Sequence, residues 1–182
     1  MEQIRIHGRG GQGVVTAAEL IAIAAFYDGK EAQAFPSFGV ERSGAPIQSF
    51  ARISNNTIIT REQIYEPSVL IIQDASLIGT IDVFSGCTKK TTIIINAVEN
   101  KWPDLKKKFA NIYLTPATEI AMKILGKNLV NTVILGAFAK HTNLISLKSL
   151  EKAIKQKFND KPISVITKNL EAIETAYNNF SA

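Results

Sequence analysis

Glycines at positions 8, 10 and 13, within Gly8-Arg9-Gly10-Gly11-Gln12-Gly13, stand in the pattern G-x-G-x-x-G. That spacing suits phosphate, because glycines permit a tight turn and the N–H groups that open a following helix, with its dipole, receive an anion. The neighbours needed on either side are present. A strand is expected over 3–7, where Gln3-Ile4-Arg5-Ile6-His7 alternates, and a helix over 14–27, where Ala17, Ala18, Leu20, Ile21, Ala24 and Ala25 form an apolar face and Gly29 supplies a stop. A second group of residues lies between 35 and 46. There Gly39 and Gly44 allow positive φ, Arg42 offers a planar fork for phosphate or carboxylate, and Ser43 adds a small donor. Phe35 and Phe38 could stack on a base or dock into a partner. The plain alternative is a surface loop in which Arg42 pairs with Glu41 or another acid.

The same glycine spacing serves nicotinamide and flavin dinucleotides, but that chemistry calls for an acid at the end of the second strand to hold a ribose. Here the second strand, over 31–35, runs into Pro36-Ser37, and Asp28 lies at the helix end instead. A tight turn with no ligand is the other reading of the glycines. His7, at the mouth of the loop, could touch a ligand or be satisfied by backbone groups. Cys87 reads as an inert thiol on the approach to a strand. With one cysteine and two histidines, the chain has no internal disulfide, no cysteine set for an iron–sulfur cluster and no expected metal site.

The 182 residues are 46% hydrophobic, 20% charged and 8% aromatic, which excludes disorder, collagen and a coiled coil and suits one globular domain over 1–182. Lys and Arg exceed Asp and Glu by 21 − 16 = +5, a modest excess that favours an anionic ligand or an acidic partner. The lysines at 106–108 and at 148, 152, 155 and 157 lack the interleaved aromatics of a nucleic-acid reader, so they read as solvated faces and no nucleic-acid partner is expected. No run approaches a membrane span and the start lacks the order of a signal peptide, so a cytoplasmic protein is expected.

Further elements follow from pattern. The strand over 47–53 comes after a loop with no helix between, so it should pair antiparallel with its predecessor and make the sheet mixed. The continuous apolar runs over 68–73 and 91–96 read as central strands covered on both faces, and 111–114 as a shorter strand. Helices are expected over 116–125, closed by Gly126, and over 130–140, apolar nearly all round. Two more are marked by Leu147, Leu150, Ile154 and Phe158, and by Ile163, Ile166, Leu170, Ile173, Tyr177 and Phe180. The expected fold is α/β: a three-layer α/β/α arrangement with a mixed, mostly parallel central sheet, a Rossmann-like start and a helical C-terminal part.

Taken together, His7-Gly8-Arg9-Gly10-Gly11-Gln12-Gly13-Val14-Val15-Thr16 and Ala34-Phe35-Pro36-Ser37-Phe38-Gly39-Val40-Glu41-Arg42-Ser43-Gly44-Ala45-Pro46 closely resemble the gamma subunit of the pyruvate (2-oxoacid):ferredoxin oxidoreductases. The likeness continues through Val69-Leu70-Ile71-Ile72-Gln73-Asp74, Ile94-Ile95-Asn96, Pro116-Ala117-Thr118-Glu119, Asn131-Thr132-Val133 and Asn169-Leu170-Glu171, and so spans essentially the whole chain. The resemblance implies a single gamma domain in a heteromeric enzyme that converts pyruvate, coenzyme A (CoA) and oxidised ferredoxin to acetyl-CoA, CO2 and reduced ferredoxin, reversibly. It implies alpha, beta and delta subunits as partners, with ferredoxin met through the complex. Thiamine diphosphate and the [4Fe–4S] clusters would belong to those partners, leaving this chain without a cofactor of its own and without catalytic residues. It implies further that CoA occupies a shared site here. The matching positions are Gly8, Arg9, Gly10, Gly11, Gln12, Gly13, Thr16, Glu41, Arg42, Ser43 and Gly44; fused relatives carry a lysine pair where this chain has Glu41-Arg42. Competing readings are the same role toward another 2-oxo acid, a stand-alone dinucleotide-binding oxidoreductase domain, and a basic nucleic-acid-binding module.

Overall fold

The computed structural model describes residues 1–37 and 43–179. Its six strands lie in the order β2-β3-β1-β4-β5-β6. They are β1 (Glu2–Arg9), β2 (Glu31–Pro36), β3 (Pro46–Ser54), β4 (Val69–Ile72), β5 (Thr92–Asn96) and β6 (Asn111–Thr115). Strands β1, β4, β5 and β6 run parallel, β3 is antiparallel to β1, and β2 is antiparallel to β3. The sheet is mixed as expected, since a loop without a helix can only return the chain alongside itself. The apolar runs of β4 and β5 hold the centre and are buried on both faces.

One face carries a thick helical layer. Helices α1 (Val14–Tyr27), α3 (Ala117–Leu125), α4 (Val130–Thr142), α5 (Leu147–Lys157) and α6 (Ile163–Asn178) share a core with Ile4, Ile6, Val69, Ile71 and Ile94. Helix α4 is buried from Thr132 to Ala139, as its all-round apolar sequence requires. Its Gly136 lies so close to α6 that an added Cβ would stand 2.1 Å from the Ile173 carbonyl oxygen. Elsewhere, the end of α1 caps the start of α5: the Asp28 carboxylate accepts hydrogen bonds from the Ser146 N–H (2.6 Å), the Ser146 hydroxyl (2.8 Å) and the Ser149 hydroxyl (2.6 Å). Phe180, expected to extend the last apolar face, lies outside the described residues.

The opposite layer is thinner. Leu70, Ile72, Ile93 and Ile95 pack there against Leu77, Val83 and Phe109, which sit on a 3-10 turn (Ala75–Leu77), on irregular chain, and just after the one-turn helix α2 (Leu105–Lys108). Over β1 and β3 this face is polar yet dry. Alternation in β1 implies one wet side, but Arg5 and His7 are only 5% and 1% exposed. Arg5 donates to the carbonyls of Tyr65 (3.2 Å), Val83 (3.1 Å) and Ser85 (2.5 Å) and to Cys87 Sγ (3.8 Å). Arg52 donates to the Glu62 carbonyl and lies 4.9 Å above the Phe35 ring. Among the described residues no helix is long and apolar enough to cross a membrane.

Candidate functional site

Because β3 runs antiparallel beside β1, its first residue, Pro46, stands opposite Arg9. The chain entering β3 must therefore pass the glycine loop, and the two motifs meet. Gly10 and Ser43 form a parallel bridge, the Gly10 N–H donates to the Ala45 carbonyl (2.9 Å), and the Gly44 N–H donates to the Gly10 carbonyl (3.0 Å). Two glycines of the loop are set by close approach. A Cβ on Gly8 would stand 2.6 Å from Val14 Cγ2, and Gly13, at φ 69°, is pressed against the Asn131 side chain, 2.4 Å from where its Cβ would be. Gly11, also at positive φ, is exposed with open space around it.

A carboxylate holds the loop in place. The Arg9 guanidinium donates to Asp74 Oδ2 (3.1 Å), to the Gly44 carbonyl (3.0 Å) and to the Ser76 hydroxyl (2.8 Å). Gln12 donates to the same Asp74 oxygen (3.0 Å) and accepts from the Arg9 N–H (2.8 Å). Asp74 Oδ1 takes the Ser76 N–H and hydroxyl (3.0 and 2.6 Å). Burial pushes the Asp74 carboxyl up, but hydrogen bonds from Ser76 and Gln12 and the Arg9 charge outweigh it, leaving it below its ordinary value. Arg9 and Gln12 thus brace the loop with their side chains. What remains for a ligand is backbone: among the described residues Gly13 caps α1 with no side-chain hydrogen bond and no acid follows in the first turn, so the opening N–H groups of the helix have no side-chain cap there. Ser43 and Gly44 are exposed at the rim. Glu41 and Arg42 lie outside the described residues.

This geometry is suited to binding and orienting a ligand; among the described residues it offers no activated nucleophile. His7 points to the thin-layer side of the sheet, and burial, helped by the Arg5 charge, lowers its pKa to about 3, so it is neutral and no base. Neither ring nitrogen has a hydrogen-bond partner among the described residues, which departs from the expectation of a backbone-satisfied histidine. Cys87 is half-buried against Arg5, and burial pushes its thiol up. Among the described residues no group of three His, Cys, Asp or Glu could hold a metal ion. Phe35 is half-buried against Phe50, with ring centroids 5.2 Å apart, and so belongs partly to this domain's own packing.

The dinucleotide reading meets a second obstacle here, because β3 stands between β1 and β2 and the end of β2 does not flank the loop. Sequence reasoning assigned no role to Asp74, Gln73 or Asn131. Asp74 and Gln73 follow directly on the apolar run of β4, at the carboxyl end of a buried parallel strand, where α/β sheets place their ligand crevices. That position was the available signal; Asn131, near the start of α4, had none.

A family model described as "Pyruvate ferredoxin/flavodoxin oxidoreductase" matches residues 3–179. The chain is 52% identical over 155 residues to pyruvate synthase subunit PorC of Methanosarcina barkeri, covering 85% of each chain. It is 48% identical over 181 residues to the pyruvate/ketoisovalerate oxidoreductases common subunit gamma of Thermococcus kodakarensis, covering 98% of this chain and 96% of that one. The crystal structure of pyruvate oxidoreductase subunit PORC from Thermotoga maritima superposes with a TM-score of 0.83 at 32% identity, over 98% of this chain and 96% of that one.

Proposed function

Since the chain belongs to the pyruvate ferredoxin/flavodoxin oxidoreductase family, we propose that it is the gamma subunit of a heteromeric, cytoplasmic pyruvate:ferredoxin oxidoreductase and that it supplies part of the CoA site. The partners are the alpha, beta and delta subunits, which hold thiamine diphosphate and the [4Fe–4S] clusters. With one cysteine, tied to Arg5, this chain has no thiolate set for a cluster. Its contribution is to bind and orient one substrate.

The observation that carries the CoA assignment is the junction of the glycine loop with the 43–45 segment at the uncapped start of α1. CoA presents phosphates, and unmatched helix N-terminal N–H groups are suited to them. The loop is braced by Asp74 before any ligand arrives, so little ordering remains to oppose binding. Arg42, next in sequence to Ser43, adds the planar cation that such a polyanion favours.

The test uses the assembled enzyme. Arg42→Ala is expected to raise KM for CoA roughly ten- to a hundredfold, the equivalent of losing a charged contact of ~1.5–3 kcal/mol, while KM for pyruvate stays unchanged. An unchanged KM for CoA overturns the assignment of Arg42 to the CoA site. Pull-down of this chain from native lysate without the other subunits would overturn the gamma-subunit reading itself.

A further inference from the structure

Between β1 and β4 the chain order reverses, since β1 is followed in sequence by β2 and β3 on one side and then by β4 on the other. The carboxyl ends of β1 and β4 are therefore the topological switch point, where open α/β sheets form their crevice. A cavity of about 220 Å3 opens there, lined by Gln12, Gln73, Asn96, Thr118 and Asn128. It shares Ala75, Ser76 and Asn96 with a trough of about 610 Å3 that reaches Trp102. Gln73 is 1% exposed, and both polar atoms of its carboxamide lack a partner among the described residues. Its backbone, by contrast, is matched: its N–H donates to the His7 carbonyl (2.8 Å) and its carbonyl accepts from Asn96 Nδ2 (2.9 Å). Two unmade hydrogen bonds on one buried side chain are costly. The carboxamide also adjoins the glycine loop, as Gln73 Oε1 and Gln12 Oε1 lie 3.2 and 3.1 Å from where a Gly8 Cβ would stand.

We infer that Gln73 pairs with an amide of the bound ligand, so that this cleft takes the pantetheine arm of CoA; the inference rests on the CoA assignment proposed above. A carboxamide presents one acceptor and a donor, the complement of a secondary amide, and the arm of CoA carries two such amides. An anion is poorly matched to the cavity, whose lining holds Asp74 and no cation. Phosphates at the start of α1 and an uncharged amide-bearing arm over β4 and β5 divide one ligand between two adjoining surfaces of opposite character.

Gln73→Leu in the assembled enzyme removes both polar atoms. The expected result is a KM for CoA raised about tenfold, inhibition by adenosine 3′,5′-bisphosphate, which lacks the arm, unchanged, and a melting temperature no lower than that of the parent complex. Gln73→Met replaces it if the leucine variant fails to assemble. If Arg42→Ala weakens CoA while the Gln73 variants leave its KM unchanged, the carboxamide is matched by water alone and the inference is overturned. Equal weakening of CoA and the bisphosphate overturns it too, because the loop itself has then been disturbed. If neither Arg42→Ala nor Gln73→Leu alters CoA or bisphosphate affinity, the CoA assignment falls and this inference with it.

Discussion

His7 should make the chain sensitive to acid well above the pH at which carboxylates respond. Its imidazole is 1% exposed, has no hydrogen-bond partner among the described residues, and shares its side of β1 with the Arg5 cation, so protonation is opposed both by burial and by a like charge. The folded chain holds it to a pKa of about 3, against an ordinary value of 6.5. Because the folded value lies below the unfolded one, stability from this group is complete above pH 6.5 and falls as pH drops toward 3, where the unfolded chain binds the extra proton. Linkage between those two values gives a loss of about 2 kcal/mol between pH 7 and pH 5, and about 3 kcal/mol by pH 4. Urea denaturation of the purified chain at pH 7, 5 and 4, repeated for His7→Leu, measures this directly. The leucine variant removes two unmatched buried nitrogens at similar volume, so at pH 7 it should lie within about 1.5 kcal/mol of the parent. Its loss between pH 7 and pH 4 should shrink by about 3 kcal/mol. Parallel profiles for the two chains would mean that His7 protonates freely in the folded state, and the reasoning would be wrong.

Asp28→Ala should cost about 1–2 kcal/mol by freeing the start of α5, measured by thermal melting at neutral pH. Hydrogen bonds from Ser149 and Ser146 overcome the upward push of burial and hold the Asp28 carboxyl below its ordinary value, so this contribution persists above the unfolded pKa near 4 and disappears only as pH falls through the lower folded one; equal melting temperatures of parent and variant at pH 7 would refute it. Gly136→Ala should destabilise by about 1–3 kcal/mol or more through overpacking, since its Cβ meets the rigid Ile173 carbonyl, and a urea midpoint equal to the parent's would show that α4 and α6 are not in such close contact.

Much of the scaffold was legible from pattern alone. The apolar runs of β4 and β5, the glycine stop after α3 and the missing helix between β2 and β3 each carry a local signal that tertiary contacts did not override. The meeting of the two glycine motifs was legible only by resemblance, because it depends on the antiparallel placing of β3 beside β1, a relation between segments distant in sequence. Asp74 and Gln73 were hidden for the same reason: Gln73 reads as the last residue of an apolar strand and Asp74 as the residue after it, and their meaning comes from Arg9, Gln12 and the cleft. The polar face of β1 departs from the usual pattern in the opposite sense. Arg5 and His7 alternate with isoleucines as a solvent-facing row would, yet chain from beyond β3 and β4 covers them.

That cover is fastened through main chain. Arg5 grips the carbonyls of Tyr65, Val83 and Ser85, and Arg52 that of Glu62, so what the two guanidinium groups recognise is the path of the covering segments rather than the identity of their residues. Outward side chains such as Ile59 and Tyr65, 87% and 69% exposed, contribute little to the fastening. The exposed side chains over this half of the sheet can therefore be rewritten by substitution, while Arg5 and Arg52 cannot: removing the Arg5 guanidinium would strip three carbonyls of their donor at once, and removing that of Arg52 would strip the Glu62 carbonyl. A domain whose outer skin is fastened largely through its backbone can change the exposed side chains it presents there without changing the fold beneath.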